Sequence, residues 1–313
     1  MKTKTIKKVI NKKMNEWFSS IEDETVRELA KKNTIVTGGC IASMLLKEKV
    51  NDFDVYFKDR ETARAVTGYY IKRFNPKNAA GIARQIFIDD EFTDRVKIVI
   101  KSSGIASENE KGAEYQYFET RPEGNAGQYV TELMSDSGEI EDAYDDLNEK
   151  AQEIEDDGPK FRPVFMSTNA ITLSHKVQIV TRFFGNPEEI HENYDFVHCT
   201  NYWTSWDNEL HINQAALEAL LARELRYVGS KYPLCSLMRM RKFIQRGWTI
   251  NAGQILKAAM QLNALDLSDP LVLEDQLTGV DSAYFVEIIA KVKENDPEKV
   301  NTAYLIEIVD RMF

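Results

Sequence analysis

Two glycines, followed after a short interval by two alternating aspartates, restrict this chain more than any other feature in it. Gly38-Gly39 closes the short apolar run Ile35-Val36 and opens onto Cys40-Ile41-Ala42-Ser43. Twelve residues separate Gly39 from Asp52, which begins Asp52-Phe53-Asp54-Val55-Tyr56-Phe57. Residues i and i+2 of a strand point to the same face. Asp52 and Asp54 are therefore expected to project together, with Phe53 and Val55 turned into a core. A glycine pair suits a tight turn into a helix, and backbone N–H groups at a helix N-terminus favour anions. Paired carboxylates at a strand end, beside such a turn, are what two-metal phosphoryl-transfer chemistry requires.

The rest of the chain reads as two kinds of structure. Ile6, Val9, Ile10, Met14, Trp17 and Phe18 recur at helical spacing, so residues 1–32 are expected to form N-terminal helices. Ile41–Lys49 reads as the helix after the glycines, and Asp59–Phe74 as another, with Asp59 as its cap. Strand patterns follow at Gln85–Ile88, Val96–Ile100, Tyr115–Thr120, Pro163–Met166, Lys176–Phe184 and Phe196–Trp203. From Gln214 onward only helical patterns remain: Ala215–Tyr227, Leu237–Arg246, Ala252–Leu262, Ser282–Glu294 and Pro297–Met312. The expectation is an α+β fold. A mixed single-sheet domain occupies residues 33–210 and an all-helical domain residues 211–313.

Charge and cysteine content narrow the class further. The net charge of −10 is concentrated, because residues 132–157 carry twelve acidic side chains and one lysine. The remainder of the chain is close to neutral. The acidic insertion, near 132–158, is expected to be a solvated segment that repels nucleic acid locally. Cys40, Cys199 and Cys235 have no paired spacing, which speaks against a disulfide framework or a zinc site. No apolar run reaches membrane-spanning length, and the basic N-terminus is not followed by an apolar core. A cytoplasmic protein with no membrane partner is expected.

The Gly38-Gly39 turn, the helix and the Asp52-Phe53-Asp54 strand together resemble the DNA polymerase β-like nucleotidyltransferase superfamily, whose signature has this order and spacing. The resemblance implies a polymerase β-like palm domain and a magnesium-dependent reaction. A nucleoside monophosphate would move from a nucleoside triphosphate (NTP) to an acceptor hydroxyl, with release of pyrophosphate. It implies that Asp52 and Asp54 bind Mg2+, and that Gly38, Gly39 and Ser43 hold the triphosphate. It also implies a third acid on a neighbouring strand. Asp195, in Asn193-Tyr194-Asp195-Phe196, is the candidate third catalytic and metal-binding carboxylate, with Asp207 as the weaker alternative. The surroundings of Asp195 resemble poly(A)-polymerase-head-like proteins of tailed phages and large DNA viruses. Gln178 stands where other branches of the superfamily place the acid, and a carboxamide cannot replace a metal-bridging carboxylate.

A second stretch, Leu237-Met238-Arg239-Met240-Arg241-Lys242-Phe243 with Gly247-Trp248-Thr249-Ile250, is similar to the neck helix of CCA-adding enzymes and bacterial poly(A) polymerases. That similarity implies nucleotide-binding roles for Arg239 and Lys242. Lysine is a point charge where arginine is a fork, so Lys242 weakens any bidentate contact. The acceptor would be an RNA 3′ end, a protein or a small molecule. The other reading of the same residues is a catalytically degraded fold that serves as a scaffold or binding module.

Overall fold

The computed structural model of the chain describes residues 1–74, 85–89, 93, 95–101, 160–166, 169–267, 269, 272 and 276. The expected strand at Tyr115–Thr120, the acidic insertion and the two last expected helices lie outside the described residues.

Two helices open the chain, α1 (Thr3–Ser20) and α2 (Glu24–Asn33). Ile6, Ile10, Met14 and Trp17 are three or four residues apart and so share one face of α1. All four are fully buried, and burial of such side chains stabilises by about 1.5–3 kcal/mol each. Asp23 starts α2 by accepting a hydrogen bond from the Val26 N–H at 3.1 Å, one of the donors a helix N-terminus leaves unpaired. The order expected around the glycines then follows: β1 (Thr34–Thr37), α3 (Gly39–Leu46), β2 (Phe53–Phe57) and α4 (Arg60–Phe74). Asp59 does cap α4, accepting from the Thr62 N–H at 2.7 Å. The Trp17 indole N–H donates to the buried Tyr70 hydroxyl at 2.8 Å and ties α1 to α4.

Strands β3 (Gln85–Asp89) and β4 (Lys97–Lys101) pair with each other in a separate two-stranded sheet rather than joining a single sheet as expected. The main sheet adds β5 (Pro163–Met166), β6 (Ala170–Leu173), β7 (Val177–Phe184), β8 (Tyr202–Thr204) and β9 (Glu209–His211). Its order is β5-β6-β7-β2-β1-β8-β9. The central pair β2–β7 is parallel and the other pairs are antiparallel. This is the mixed sheet of the expected α+β class.

Period-two alternation gives the sheet two unlike faces. Ile171, Ile179, Val55, Val36, Trp203 and Leu210 form one continuous cross-strand row, and all join the core under the N-terminal helices. The neighbouring row, on the opposite face, is Thr172, Gln178, Asp54, Thr37, Tyr202 and His211. Every member is polar, and it crosses six strands with Asp54 near its middle.

After β7 the chain forms α5 (Pro187–His191), a 3-10 turn (Val197–Cys199), α6 (Gln214–Ala222), α7 (Pro233–Gln245) and α8 (Ala252–Asn263). Two expectations change here. The apolar run at 196–203 is not one strand: Phe196 makes a single bridge to Tyr227, the 3-10 turn follows, and pairing resumes only at Tyr202. The helical part also contains a strand pair, β10 (Glu224–Leu225) parallel to β11 (Thr249–Ile250). It forms because α6 stops at Arg223, whose left-handed backbone (φ 48°) turns the chain out of the helix.

Helix α3 is shared by two cores. Its Ile41 and Met44 belong to the sheet side. Ala42 packs in a second cluster with Phe196, Leu220, Leu225, Tyr227, Met240, Trp248 and Ala258. Within that second region His198 is 1% exposed, and its ring lies 4.3 Å from Trp248 and 4.6 Å from Phe243, centroid to centroid. Neither ring nitrogen has a hydrogen-bond partner among the described residues. Burial drives its pKa down to about 4, against a weaker upward pull from Asp195.

The unfolded chain therefore binds a proton at His198 between the usual value of ~6.5 and about 4, where the folded chain does not. Stability should fall as pH falls through that window, by about 3 kcal/mol in total from this group. Melting temperature measured from pH 7 to pH 4.5 should drop more steeply for the natural protein than for His198→Phe. Parallel curves would show that His198 does not carry the effect.

Candidate active site

The site is built where β1, α3 and β2 meet. Gly38 has φ 93° and ψ −150°, a conformation that side chains strongly disfavour. A Cβ there would lie 3.0 Å from Asp54 Oδ2 and 3.4 Å from the Tyr194 hydroxyl oxygen. The missing side chain thus lets a carboxylate and a phenol close on the turn. Gly39 differs: it is exposed, and a Cβ on it would meet nothing within 4 Å. The N-terminus of α3 therefore opens to solvent beside Asp54. Ser43 lies four residues after Gly39, on the same helical row, and is half-buried.

The turn is held rigidly from behind. The Gly38 N–H donates to the Cys199 carbonyl at 3.2 Å. Thr37 Oγ1 donates to the Asn201 carbonyl at 2.9 Å and lies 2.8 Å from His191 Nε2. A hydroxyl has one proton, so the imidazole supplies the second bond as an Nε2–H donor. Burial lowers the His191 pKa to about 4, with Glu188 pulling weakly upward. His191 thus stays neutral near pH 7, in the Nε2–H tautomer that makes this bond.

Asp54 sits in the polar row between Thr37 and Gln178, its two register partners. Burial raises the pKa of the Cys40 thiol well above normal, and Asp54 and then Asp52 add to the shift. Burial and then Asp54 raise Tyr56, while burial, Tyr56 and Asp54 raise Tyr194. The thiol and both phenols therefore remain protonated around the Asp54 carboxylate. Asp52 lies just before β2 and Asp54 within it, both charges act on the buried Cys40 thiol, and Phe53 and Val55 are buried in the core.

Asp195 departs from expectation. It lies in the turn between α5 and the 3-10 turn, not on a strand next to β2, whose neighbours are β1 and β7. Its carboxylate, 7% exposed, accepts from the Ser236 hydroxyl at 2.8 Å and from Arg239 Nη1 at 2.5 Å. An arginine supplies its counter-charge. Among the described residues no group of three or more His, Cys, Asp and Glu side chains is placed to hold a metal ion. What the structure gives Asp195 is the pairing with Ser236 and Arg239, in place of the expected strand position. The position opposite Asp54 on the adjacent strand belongs to Gln178. Asp207 takes no part either: it accepts from Thr204 and from the Glu209 N–H in its own turn.

Arg239 does reach the site's electrostatic neighbourhood, since its charge opposes the rise at both Tyr56 and Cys199. Burial first, then Asp195 and Asp54, push Cys199 up to about 12. The charges of Asp54, Asp195 and Arg239 thus all act on Cys199. Lys242 lies three positions further along α7 and is half-buried. Thr37, Tyr56, Tyr194 and His191 were not singled out from the sequence. Tyr56 was available to the same alternation that placed Asp52 and Asp54. The other three reach the turn by contacts that no local pattern encodes.

Do these residues fit a magnesium ion? Mg2+ is usually held by one or two carboxylates together with substrate phosphates. The Asp52–Asp54 pair beside the open Gly39 turn fits an ion carried in on a triphosphate. The neutral Gln178 does not supply a third acid for a second ion.

These features define an α+β protein with a mixed sheet and the Asp54 carboxylate set against a glycine-initiated helix. The family model described as Gabija anti-defense 2 family protein matches residues 8–223, more than half of the chain, and the chain belongs to that family. No curated protein matches the chain. Among solved structures it is similar to the Bacillus stearothermophilus CCA-adding enzyme in complex with CTP, at 11% identity and a TM-score of 0.38 over 89% of this chain and 52% of that one. It is also similar to the Thermotoga maritima CCA-adding enzyme complexed with tRNA, at 12% identity and a TM-score of 0.36 over 91% of this chain and 55% of that one. The chain spans about half the length of those enzymes. Among the described residues, no helix is long and apolar enough to cross a membrane.

Proposed function

We propose that this chain is a magnesium-dependent nucleotidyltransferase that acts against Gabija defence by moving a nucleoside monophosphate from an NTP to an acceptor hydroxyl. The observation that carries the reading is the Asp54 carboxylate packed against Gly38, at the open N-terminus of α3. The backbone N–H groups there suit phosphate oxygens. Asp52 and Asp54 would hold the ion. When bound, it neutralises phosphate charge and favours departure of pyrophosphate. The acceptor oxygen forms a bond to the α-phosphorus as the bond to the β-phosphate oxygen breaks. Asp54, the carboxylate nearest the glycine turn, would receive the acceptor's proton, since Asp195 is paired with Arg239 and Gln178 is neutral. Catalysis of this kind is mostly positioning and charge neutralisation.

The acceptor is an RNA 3′ end, a protein or a small molecule. The family description makes a component of the opposed defence the first acceptor to test. A second reading, a nucleotide-binding module without transfer, is favoured by one observation, Gln178 opposite Asp54.

One experiment separates the two. The protein is incubated with each labelled NTP, magnesium, and either total RNA or extract from cells carrying the defence. Label transferred to a macromolecule, and blocked by chelator, supports the enzyme. Nucleotide binding with no transferred label supports the module. Absence of any magnesium-dependent nucleotide binding overturns both.

A further inference from the structure

Asp52 lies in the stretch that joins α3 to β2 and is half-buried. The main chain on both sides of it is bonded to one residue, Lys176, immediately before β7. The Lys176 carbonyl accepts from the Phe53 N–H at 2.8 Å, directly after Asp52. The Lys176 ammonium donates to the Val50 carbonyl at 3.3 Å, two residues before it. One lysine thus closes a clamp around residues 50–53, with its backbone on one side and its side chain on the other.

The turn that carries the clamp is strained. His175 and Lys176 both have left-handed backbones, with φ 66° and 62°, a region that residues with a Cβ disfavour. A turn that only joined β6 to β7 would be served better by glycine. The surrounding structure fixes this conformation. Lys13 of α1 donates to the His175 carbonyl at 3.0 Å and lies 5.8 Å from the ring centroids of both Phe53 and Phe161. Phe161 is buried, and its ring lies 5.4 Å from that of His175. Residues held in such conformations by their surroundings cluster at functional sites.

We infer that Lys176 is a positioning residue for Asp52: it fixes the loop that presents this carboxylate, so that Asp52 and Asp54 can hold one magnesium ion carried by a nucleotide. The inference rests on the reading above, in which these two aspartates hold the ion. It differs from a merely structural role, in which Lys176 would close the end of the sheet and leave the metal requirement of the folded protein unchanged. Lys176 is a cation and acts on the ion only through the carboxylate it places.

The test is the magnesium requirement for nucleotide binding. Magnesium is titrated into the full chain mixed with ATP, CTP, GTP or UTP, and binding is read by calorimetry at a temperature where every variant is folded. Lys176→Met keeps the aliphatic stem and removes the donor. Loss of a hydrogen bond from a charged group corresponds to about a tenfold or greater weakening. The magnesium concentration for half-maximal binding should therefore rise by about that factor. Lys176→Arg keeps a cationic donor and should recover most of the loss. In the Asp52→Asn background Lys176→Met should add nothing, because the two residues act through one carboxylate.

An unchanged magnesium requirement in folded Lys176→Met, even with a lower melting temperature, would overturn the inference. So would equal losses in Lys176→Met and Lys176→Arg, or a full further loss when Lys176→Met is added to Asp52→Asn. If Lys176→Met does not fold, Lys176→Gln takes its place. That variant retains a neutral donor, and its smaller loss should likewise vanish in the Asp52→Asn background; a loss that persists there overturns the inference. Where Asp52→Asn leaves no binding to measure, the comparison of Lys176→Met with Lys176→Arg decides alone. Failure of the natural protein to bind any of the four nucleotides with magnesium would remove the underlying reading and the inference together. Magnesium-dependent binding that is indifferent to Lys176 would remove the inference alone.

Discussion

Replacing both Asp52 and Asp54 by asparagine should lower magnesium-dependent nucleotide transfer by about a thousandfold or more. The metal's charge stabilisation is worth several kcal/mol, and each ~1.4 kcal/mol is a factor of ten in rate. Asparagine keeps the shape of the side chain and removes its charge, so the loss would be electrostatic rather than steric. Asp54→Asn should account for more of the loss than Asp52→Asn. Asp54 lies within the sheet between Thr37 and Gln178 and against Gly38, whereas Asp52 precedes the strand. The melting temperature should stay the same or rise, because the substitution removes two like charges that lie two residues apart. Transfer rates and melting curves of the two single variants and the double variant check this. Full transfer by the double variant would exclude the Asp52–Asp54 pair as the reaction centre. A fall in melting temperature matching the fall in rate would mean that the carboxylates support the fold instead.

The part of this site that was legible in the sequence is the part held by local rules. Gly38-Gly39 and the 52–54–56 alternation each act over a few residues, and β1, α3 and β2 appear where those rules place them. The surroundings of Asp195 were not legible because they are not local. Ser236 and Arg239 stand 41 and 44 residues further along the chain, and they meet Asp195 only once α7 has packed. The run from Phe196 to Trp203 has the composition of a strand. Its aromatic members find partners outside the sheet, however, with Phe196 and His198 both packing on Phe243. That packing bends the backbone into a 3-10 turn. The pairing of β3 with β4, apart from the main sheet, is likewise a choice of partner that period-two patterning does not specify. Gln178 is the instructive intermediate case. The sequence marks it as an amide where an acid is expected, and the parallel register sets it directly opposite Asp54.

Gly38→Ala should remove both stability and nucleotide binding, and Gly39→Ala should separate the two. At Gly38 the backbone has φ 93° and ψ −150°. A residue with a Cβ pays strain on the order of 1–3 kcal/mol in such a region. Its methyl group would also sit 3.0 Å from Asp54 Oδ2 and 3.4 Å from the Tyr194 hydroxyl oxygen, so that the carboxylate has to move. Strain and crowding together should lower the melting temperature by on the order of 5–10 °C. Displacement of Asp54 should abolish magnesium-dependent nucleotide binding in the fraction that still folds. Gly39 begins α3, and a Cβ there meets nothing within 4 Å. Alanine also favours a helix interior over glycine by about 1 kcal/mol. The melting temperature of Gly39→Ala should therefore be unchanged or slightly raised. Its methyl group would stand in the open approach to the helix N-terminus, where a phosphate has to come close to backbone N–H groups, so nucleotide affinity should fall about tenfold or more. Calorimetric binding of magnesium nucleotide, set beside melting curves for both variants, checks the pair. Unchanged affinity in a stable Gly39→Ala would move the phosphate site away from this turn. The role of Gly38 would then be reduced to letting Asp54 and Tyr194 pack.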